Sequence, residues 1–315
     1  MATGQSVSIG VVCLTMKRFF YMLLVFAACG GLLFVAGCGR CDNVVGDQDP
    51  IAAGWEHFRL GEFDQAQKLF ELVRDKEGCV PSERMDAIFG LATVWDLRAP
   101  MTDQDKKLAA QLYHEVIYED PDGRLAPWSM LALARMKHLV PVGKEPDYKA
   151  VQAAYLKVWQ KYPESQAGQE AFIFLQATYI RSMDAKDVAG AIEKLTKFIS
   201  EHPESKLNYA AWSLLVQAYS IDRDADKHLE AEVKTLTSHE IDRANPFIEN
   251  SWSYWKIAVT AEFEVGDFEL ARKYYRKLMD EYPQDIRCYS CEEALLRMDA
   301  TEKRLRKELK QESGK

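Results

Sequence analysis

The sequence predicts an all-α protein, a right-handed solenoid of about six helical hairpins closed by a capping helix at the carboxyl end. Three observations predict it. A column of small residues (Ala66, Ala109, Val151, Ala191, Ala231 and Ala271) recurs every 40 to 43 residues, and a fixed period in this range marks stacked supersecondary units. Apolar residues follow each member of the column at helical spacing. Runs of alternating apolar and polar residues bounded by turns, which strands need, are missing.

The best-formed copy is Gly266 to Pro283. Gly266-Asp267 reverses the chain, because glycine accepts positive φ and aspartate caps the next helix. Phe268, Ala271, Tyr275 and Leu278 then share one helical face. Tyr282-Pro283 stops the helix, since a residue before proline is pushed out of the α region. Earlier copies are Gly61 to Val73, with Phe63, Ala66 and Phe70; then Ala109, Tyr113 and Val116, with Pro121 behind them. Val151, Tyr155, Val158 and Pro163 form the next, followed by Ala191, Leu195, Phe198 and Pro203. The copy at Ala231, with Pro246 after it, is worn, because Thr235 stands where the aromatic residue belongs.

Each of these second helices has a first helix before it. Ile51, Trp55 and Phe58 mark the first, with Asp64 to Arg74 as its partner. Ser82 is the expected N-cap of the helix carrying Ala87, Leu91, Val94 and Trp95. Pro100 ends that helix, and Thr102 or Asp103 caps the next. Trp128, Leu131, Leu133 and Met136 follow, then the loop Val140 to Pro146. Phe172, Leu175 and Tyr179 mark the fourth first helix, and Tyr209, Trp212, Leu215 and Tyr219 the fifth, whose second helix spans Lys227 to Ser238. Trp252, Trp255, Ile257 and Phe263 lie on the sixth. A last helix, from about Ser290 to Gln311, is apolar early and charged later, as a terminal cap requires.

The repeated pattern Gly-x-aromatic-x-x-Ala-x-x-x-aromatic-x-x-(Leu/Val)-x-x-x-x-Pro resembles the second helix of a tetratricopeptide repeat, over roughly residues 50–285. That resemblance implies an extended concave groove lined by the first helices and a role in binding proteins. On its frame Trp55, Phe58, Arg59, Lys256 and Phe263 fall near groove-facing positions, and aromatic and arginine anchors are what such a groove needs. For any single tryptophan on these helices, core packing is the competing role.

The amino terminus reads differently. Lys17-Arg18 precede an apolar run from Phe19 to Ala36, the form of a signal peptide, and Met16 is an alternative start. Val35-Ala36-Gly37-Cys38 resembles the bacterial lipobox. That resemblance implies a leader over residues 1–37, a lipidated Cys38 and a polar tether over 38–49; the repeats place the solenoid over 50–285, and a capping helix with a charged tail follows over 286–315. Several acyl chains give stable anchoring where one is marginal. An uncleaved transmembrane helix and ordinary secretion are the competing readings. The expected address is the bacterial envelope, in the outer membrane facing the periplasm.

Catalytic signatures are missing. The net charge of −8 gives no basic nucleic-acid footprint. The six histidines form no metal-binding spacing, and no phosphate loop, dinucleotide fingerprint or Gly-x-Ser-x-Gly elbow appears. Cys288-Tyr-Ser-Cys291 is the one motif with chemistry open to it. A local disulfide, free thiols and a redox pair are the alternatives, and redox work ordinarily needs a βαβ setting that this chain lacks. The expectation is therefore a non-enzymatic scaffold with no cofactor and no metal. Its partners would be envelope proteins or peptides in the groove, and the membrane through Cys38. Tyr162-Pro-Glu-Ser165 and His202-Pro-Glu-Ser205, together with the lipobox, resemble the outer-membrane β-barrel-assembly lipoproteins and the Tol-Pal coordinator proteins. The alternatives are a lipoprotein that binds a small ligand or glycan, and a thiol-redox helper.

Overall fold

A computed structural model describes residues 49–238 and 249–312. The expected leader, the lipobox with Cys38, Cys41 and the Pro246 turn lie outside the described residues. Within them the chain is all-helical: thirteen α-helices and one π-helical turn, with no strand. It is an α-solenoid of tetratricopeptide-like hairpins. Its residues fall into two compact units, which part between Ser129 and Met130.

The first unit holds α1 (Pro50–Arg59), α2 (Phe63–Arg74), α3 (Pro81–Leu97), α4 (Asp103–Glu119) and the start of α5 (Ala126–His138). Helix α2 packs on both α1 and α3, and α3 packs on α4. Ala66, Phe70, Val73, Ala87, Leu91 and Val94 form one core cluster. Phe70 sets its geometry. Its ring is fully buried and lies against the backbones of α1 at Gly54 and α3 at Gly90, where even a methyl group would stand 2.7 Å from a ring carbon. Helix α3 starts at Pro81, with Val80 in the cap position. Ser82 is therefore inside the first turn and caps nothing, because proline at the first helical position is already preorganised in φ. Thr102 caps α4 in a reciprocal box, accepting from Asp105 N at 3.1 Å while its own N–H donates to Asp105 Oδ2 at 2.7 Å.

The second unit runs from the rest of α5 through α6 (Tyr148–Lys161), α7 (Gln166–Arg181), α8 (Ala185–Glu201), α9 (Asn208–Asp222), α10 (Ala225–Thr237), α11 (Ser251–Thr260), the π-helix (Ala261–Val265), α12 (Phe268–Glu281) and α13 (Cys288–Glu312). Every second helix is amphipathic and buries its column: Val151, Ala191, Ala231 and Ala271 are all buried, as are Tyr155, Leu195 and Tyr275 four residues on. The first helix α7 is buried on most of its sides, because it packs on α6, α8 and the next first helix α9. The turns share one construction. Ser165 N donates to Tyr162 O, Ser205 N to His202 O and Asp285 N to Tyr282 O, at 2.9 to 3.1 Å. In each a proline follows the carbonyl residue, where its fixed φ suits the second position of a β-turn.

Two departures concern the carboxyl end. The sixth first helix breaks into a π-turn over Ala261–Val265 before Gly266 takes a left-handed φ of 82°. The last helix starts at Cys288, two residues before the expected Ser290. It docks through Cys291, Ala294 and Met298, one face of three turns.

Candidate partner-binding surface

The first-unit residues predicted from the sequence differ in exposure: Trp55 and Phe58 are half-buried and Arg59 is exposed. Trp55 is edge-on to Phe58 at 5.7 Å and to Phe70 at 5.2 Å. Phe58 in turn packs on Phe63 at 5.6 Å. Arg59 pairs with Glu56 on its own helix at 2.7 Å.

The second unit presents a surface instead. Trp252, Lys256 and Phe263 lie along α11 and the π-helix at spacings of four and seven, which put them on one helical face. The stripe is about 16 Å long at 1.5 Å per residue. Trp252 is 60% and Phe263 64% exposed. A single exposed aromatic is ordinary; two held in line on one face are a candidate anchor pair.

Both rings are pinned by arginines near or on α13. The Arg287 guanidinium lies over the Trp252 ring, 5.4 Å from its centroid, and Arg297 lies over Phe263 at 5.1 Å. The arginines are themselves fixed. Arg297 donates to Glu262 twice, Nε to Oε1 at 2.8 Å and Nη2 to Oε2 at 2.9 Å. Glu262 is buried and also accepts from Tyr275 Oη at 2.9 Å. Burial, with the Glu262 bond, drives the Tyr275 hydroxyl well above its ordinary range. Arg287 donates from Nε to Asp285 Oδ1 at 2.8 Å and from Nη2 to Ser251 Oγ at 2.6 Å. The Arg287 hydrogen bond holds the Asp285 carboxyl far below the usual carboxylate range. Each exposed ring therefore stacks on a planar cation whose position a carboxylate fixes, a preorganisation that lysine could not supply.

Lys256 completes the stripe. Its Nζ stands 2.8 Å from Oε1 of Glu232 on α10. Glu232 is buried and neither of its oxygens makes a directed hydrogen bond, so the contact is one of charge at an unfavourable angle. His228 lies 3.8 Å from Glu232 and 3.8 Å from Glu264 of the π-helix. All three cations of the surface are thus matched by carboxylates of the same chain. What the surface offers a partner is aromatic area rather than net charge.

Among the sequence-predicted residues, Lys256 and Phe263 are on this surface. Trp252 is the residue that sequence reasoning undervalued, since a first-helix tryptophan reads as core. Glu232, Glu262, Arg287 and Arg297 left no readable signal beyond the wear in the repeat around Ala231. Phe263 sits within the π-turn, and π-turns recur at functional sites.

The cysteines lie beside this surface. Cys288 and Cys291 are free thiols one helical turn apart. Cys288 Sγ donates to Tyr282 O at 3.3 Å. Cys291 is fully buried, and that burial pushes its thiol up to about 12, which suppresses the nucleophilic thiolate near neutral pH. Among the described residues no cluster of His, Cys, Asp or Glu could hold a metal ion, and no helix is long and apolar enough to cross a membrane.

Stacked amphipathic hairpins with a buried alanine column and an exposed first-helix stripe define a tetratricopeptide-like repeat protein. The family model for the tetratricopeptide repeat matches residues 252–285, the hairpin that carries Trp252, Lys256 and Phe263. Among solved structures the chain is similar to PilF of Pseudomonas aeruginosa, at 17% identity over 75% of this chain and 92% of that one, with a TM-score of 0.49. It is also similar to Acl4, an assembly chaperone of RpL4, at 13% identity over 84% and 98% of the two chains, with a TM-score of 0.42. No curated protein sequence matches the chain.

Proposed function

We propose that this protein is a membrane-anchored protein–protein interaction scaffold of the bacterial envelope. It grips a partner through the Trp252–Lys256–Phe263 stripe. The observation that carries the reading is the pair of exposed aromatics, each immobilised by an arginine that a carboxylate holds in place. Rings fixed before binding lose little side-chain freedom on contact, so their area converts efficiently into affinity. Neutralisation of all three cations within the chain points to a partner segment with apolar or aromatic side chains rather than an acidic one. The signal-peptide pattern and Cys38 support lipid anchoring. The Tyr-Pro-Glu-Ser turns support service in an outer-membrane protein assembly or envelope-maintenance complex.

Trp252→Ser with Phe263→Ser tests the interaction. Both side chains are largely exposed, so folding stability should fall only by the two cation–π contacts, about 1–2 kcal/mol together. Recovery of the cross-linked partner from cells should fall by roughly 30-fold or more, the cost of losing a hot spot. Wild-type recovery of the partner by the double variant would sink the proposal. Anchoring has its own test: Cys38→Ala should abolish palmitate labelling and release the body from membranes, and unchanged fractionation would refute it.

A further inference from the structure

The end of α13 carries a second feature, separate from the aromatic stripe. Helix α13 has 25 residues and α12 has 14, so α13 is longer by about 16 Å. The last ties between them are from Arg272 to Asp299 at 2.8 Å and to Glu302 at 3.1 Å. From Lys303 to Glu308, and at Lys310, every side chain is exposed.

This stretch holds five cations and one carboxylate. Arg304 reaches Glu308 at 4.0 Å and Arg306 reaches Glu302 at 3.7 Å. Lys303, Lys307 and Lys310 make no ion pair among the described residues. At 100° per residue, Lys303, Arg306, Lys307 and Lys310 fall within about 100° of one another, and their centre lies about 130° round the helix from buried Met298. The cationic face therefore points away from the surface through which the helix docks.

We propose that this face seats the carboxyl end of the protein on an anionic lipid surface. The residue types favour lipid over an acidic peptide. Three of the four cations are lysines, compact point charges suited to a diffuse layer of headgroups, whereas specific carboxylate recognition favours the arginine fork. Side chains of α13 alone line the face, including Asp299 and Glu302, whose charges Arg272 takes up, so it has no second wall to grip a peptide. The chain as a whole is acidic, at −8; an anionic membrane repels the body, attracts this one face, and so orients the molecule.

The test is lysine acylation of the full-length chain with vesicles, read by mass spectrometry. One vesicle set is phosphatidylcholine; the other contains about one-third phosphatidylglycerol, enough to set up a negative surface potential. Attachment through the apolar amino-terminal run is common to both and cancels. Lys303, Lys307 and Lys310 should react about tenfold more slowly on the anionic vesicles, while exposed Lys157 on α6 reacts equally on both. The protection should vanish in about 1 M salt, where the Debye length is about 3 Å. K303Q/K307Q should restore reactivity at Lys310, as each cation removed weakens surface attraction about fivefold. Equal acylation on both vesicle sets would overturn the proposal. So would protection by soluble polyglutamate without protection by vesicles, which would assign the face to an acidic protein.

Discussion

Replacing Gly90 by alanine should destabilise this protein, although glycine in a helix interior is ordinarily the worse choice. Alanine gains about 1 kcal/mol over glycine at a mid-helix site. Here its methyl carbon would stand 2.7, 2.7 and 2.8 Å from Cε1, Cζ and Cδ1 of Phe70, well inside contact distance. The ring cannot retreat, because Gly54 of α1 lies against the same three atoms and Trp55 packs edge-on at 5.2 Å. Overpacking a full core costs about 1–3 kcal/mol, and with three ring atoms in conflict the upper half of that range applies. The net expectation is a loss of about 1–2 kcal/mol, helix propensity having been subtracted. Hydrogen exchange of the Phe70 and Val73 amides reads this locally, which suits a repeat protein whose hairpins open separately. The companion variant is Phe70→Ala, which removes Cε1, Cζ and Cδ1 together. In that background Gly90→Ala should change sign and stabilise, by up to about 1 kcal/mol. Stabilisation in the wild-type background, or the same loss in both, would refute the account of Phe70 as the spacer between α1 and α3.

Other consequences are as direct. Burial pushes Glu170 up to about 7, above its ordinary value, so it favours the fold at low pH and that contribution is lost as pH rises from about 4.5 through 7. Glu170→Gln should therefore stabilise at pH 8, by up to roughly 3 kcal/mol, and change little at pH 4, as paired urea titrations would show. Thr102→Ala should cost about 1 kcal/mol by removing the cap of α4, with faster amide exchange confined to its first turn; global loss would contradict a local role. Tyr275→Phe should cost about 2 kcal/mol, because buried Glu262 loses a donor; an unchanged melting profile would mean that Arg297 alone satisfies that carboxylate.

The solenoid was readable from one column of small residues. Ala66 to Ala271 are buried because a second helix can approach its neighbours closely only where its side chain is small, and this requirement repeats with the hairpin. Turns were readable for a similar reason, since proline and glycine act locally. The surface was not. Trp252 and Trp255 differ by three residues on one helix, yet one packs on Tyr275 at 5.6 Å and the other faces outward. Helix rotation decides between them, and rotation depends on α10 and α12, which pack on either side of it. Glu262 and Arg297 meet across 35 residues, a pairing that no local pattern encodes. The π-turn inserts its register change without glycine or proline, so no local signal in the sequence announces it.

The central claim is that the Trp252–Phe263 stripe holds a partner, and site-specific photo-cross-linking in the native envelope tests it most directly. A photoreactive residue is placed in turn at Trp252, at Phe263 and at exposed Lys157 on the second helix α6, and adducts are identified by mass spectrometry. The account predicts adducts to the same partner from Trp252 and Phe263, and none to it from Lys157. Equal capture from all three sites, or no shared adduct from the two aromatic positions, would contradict it.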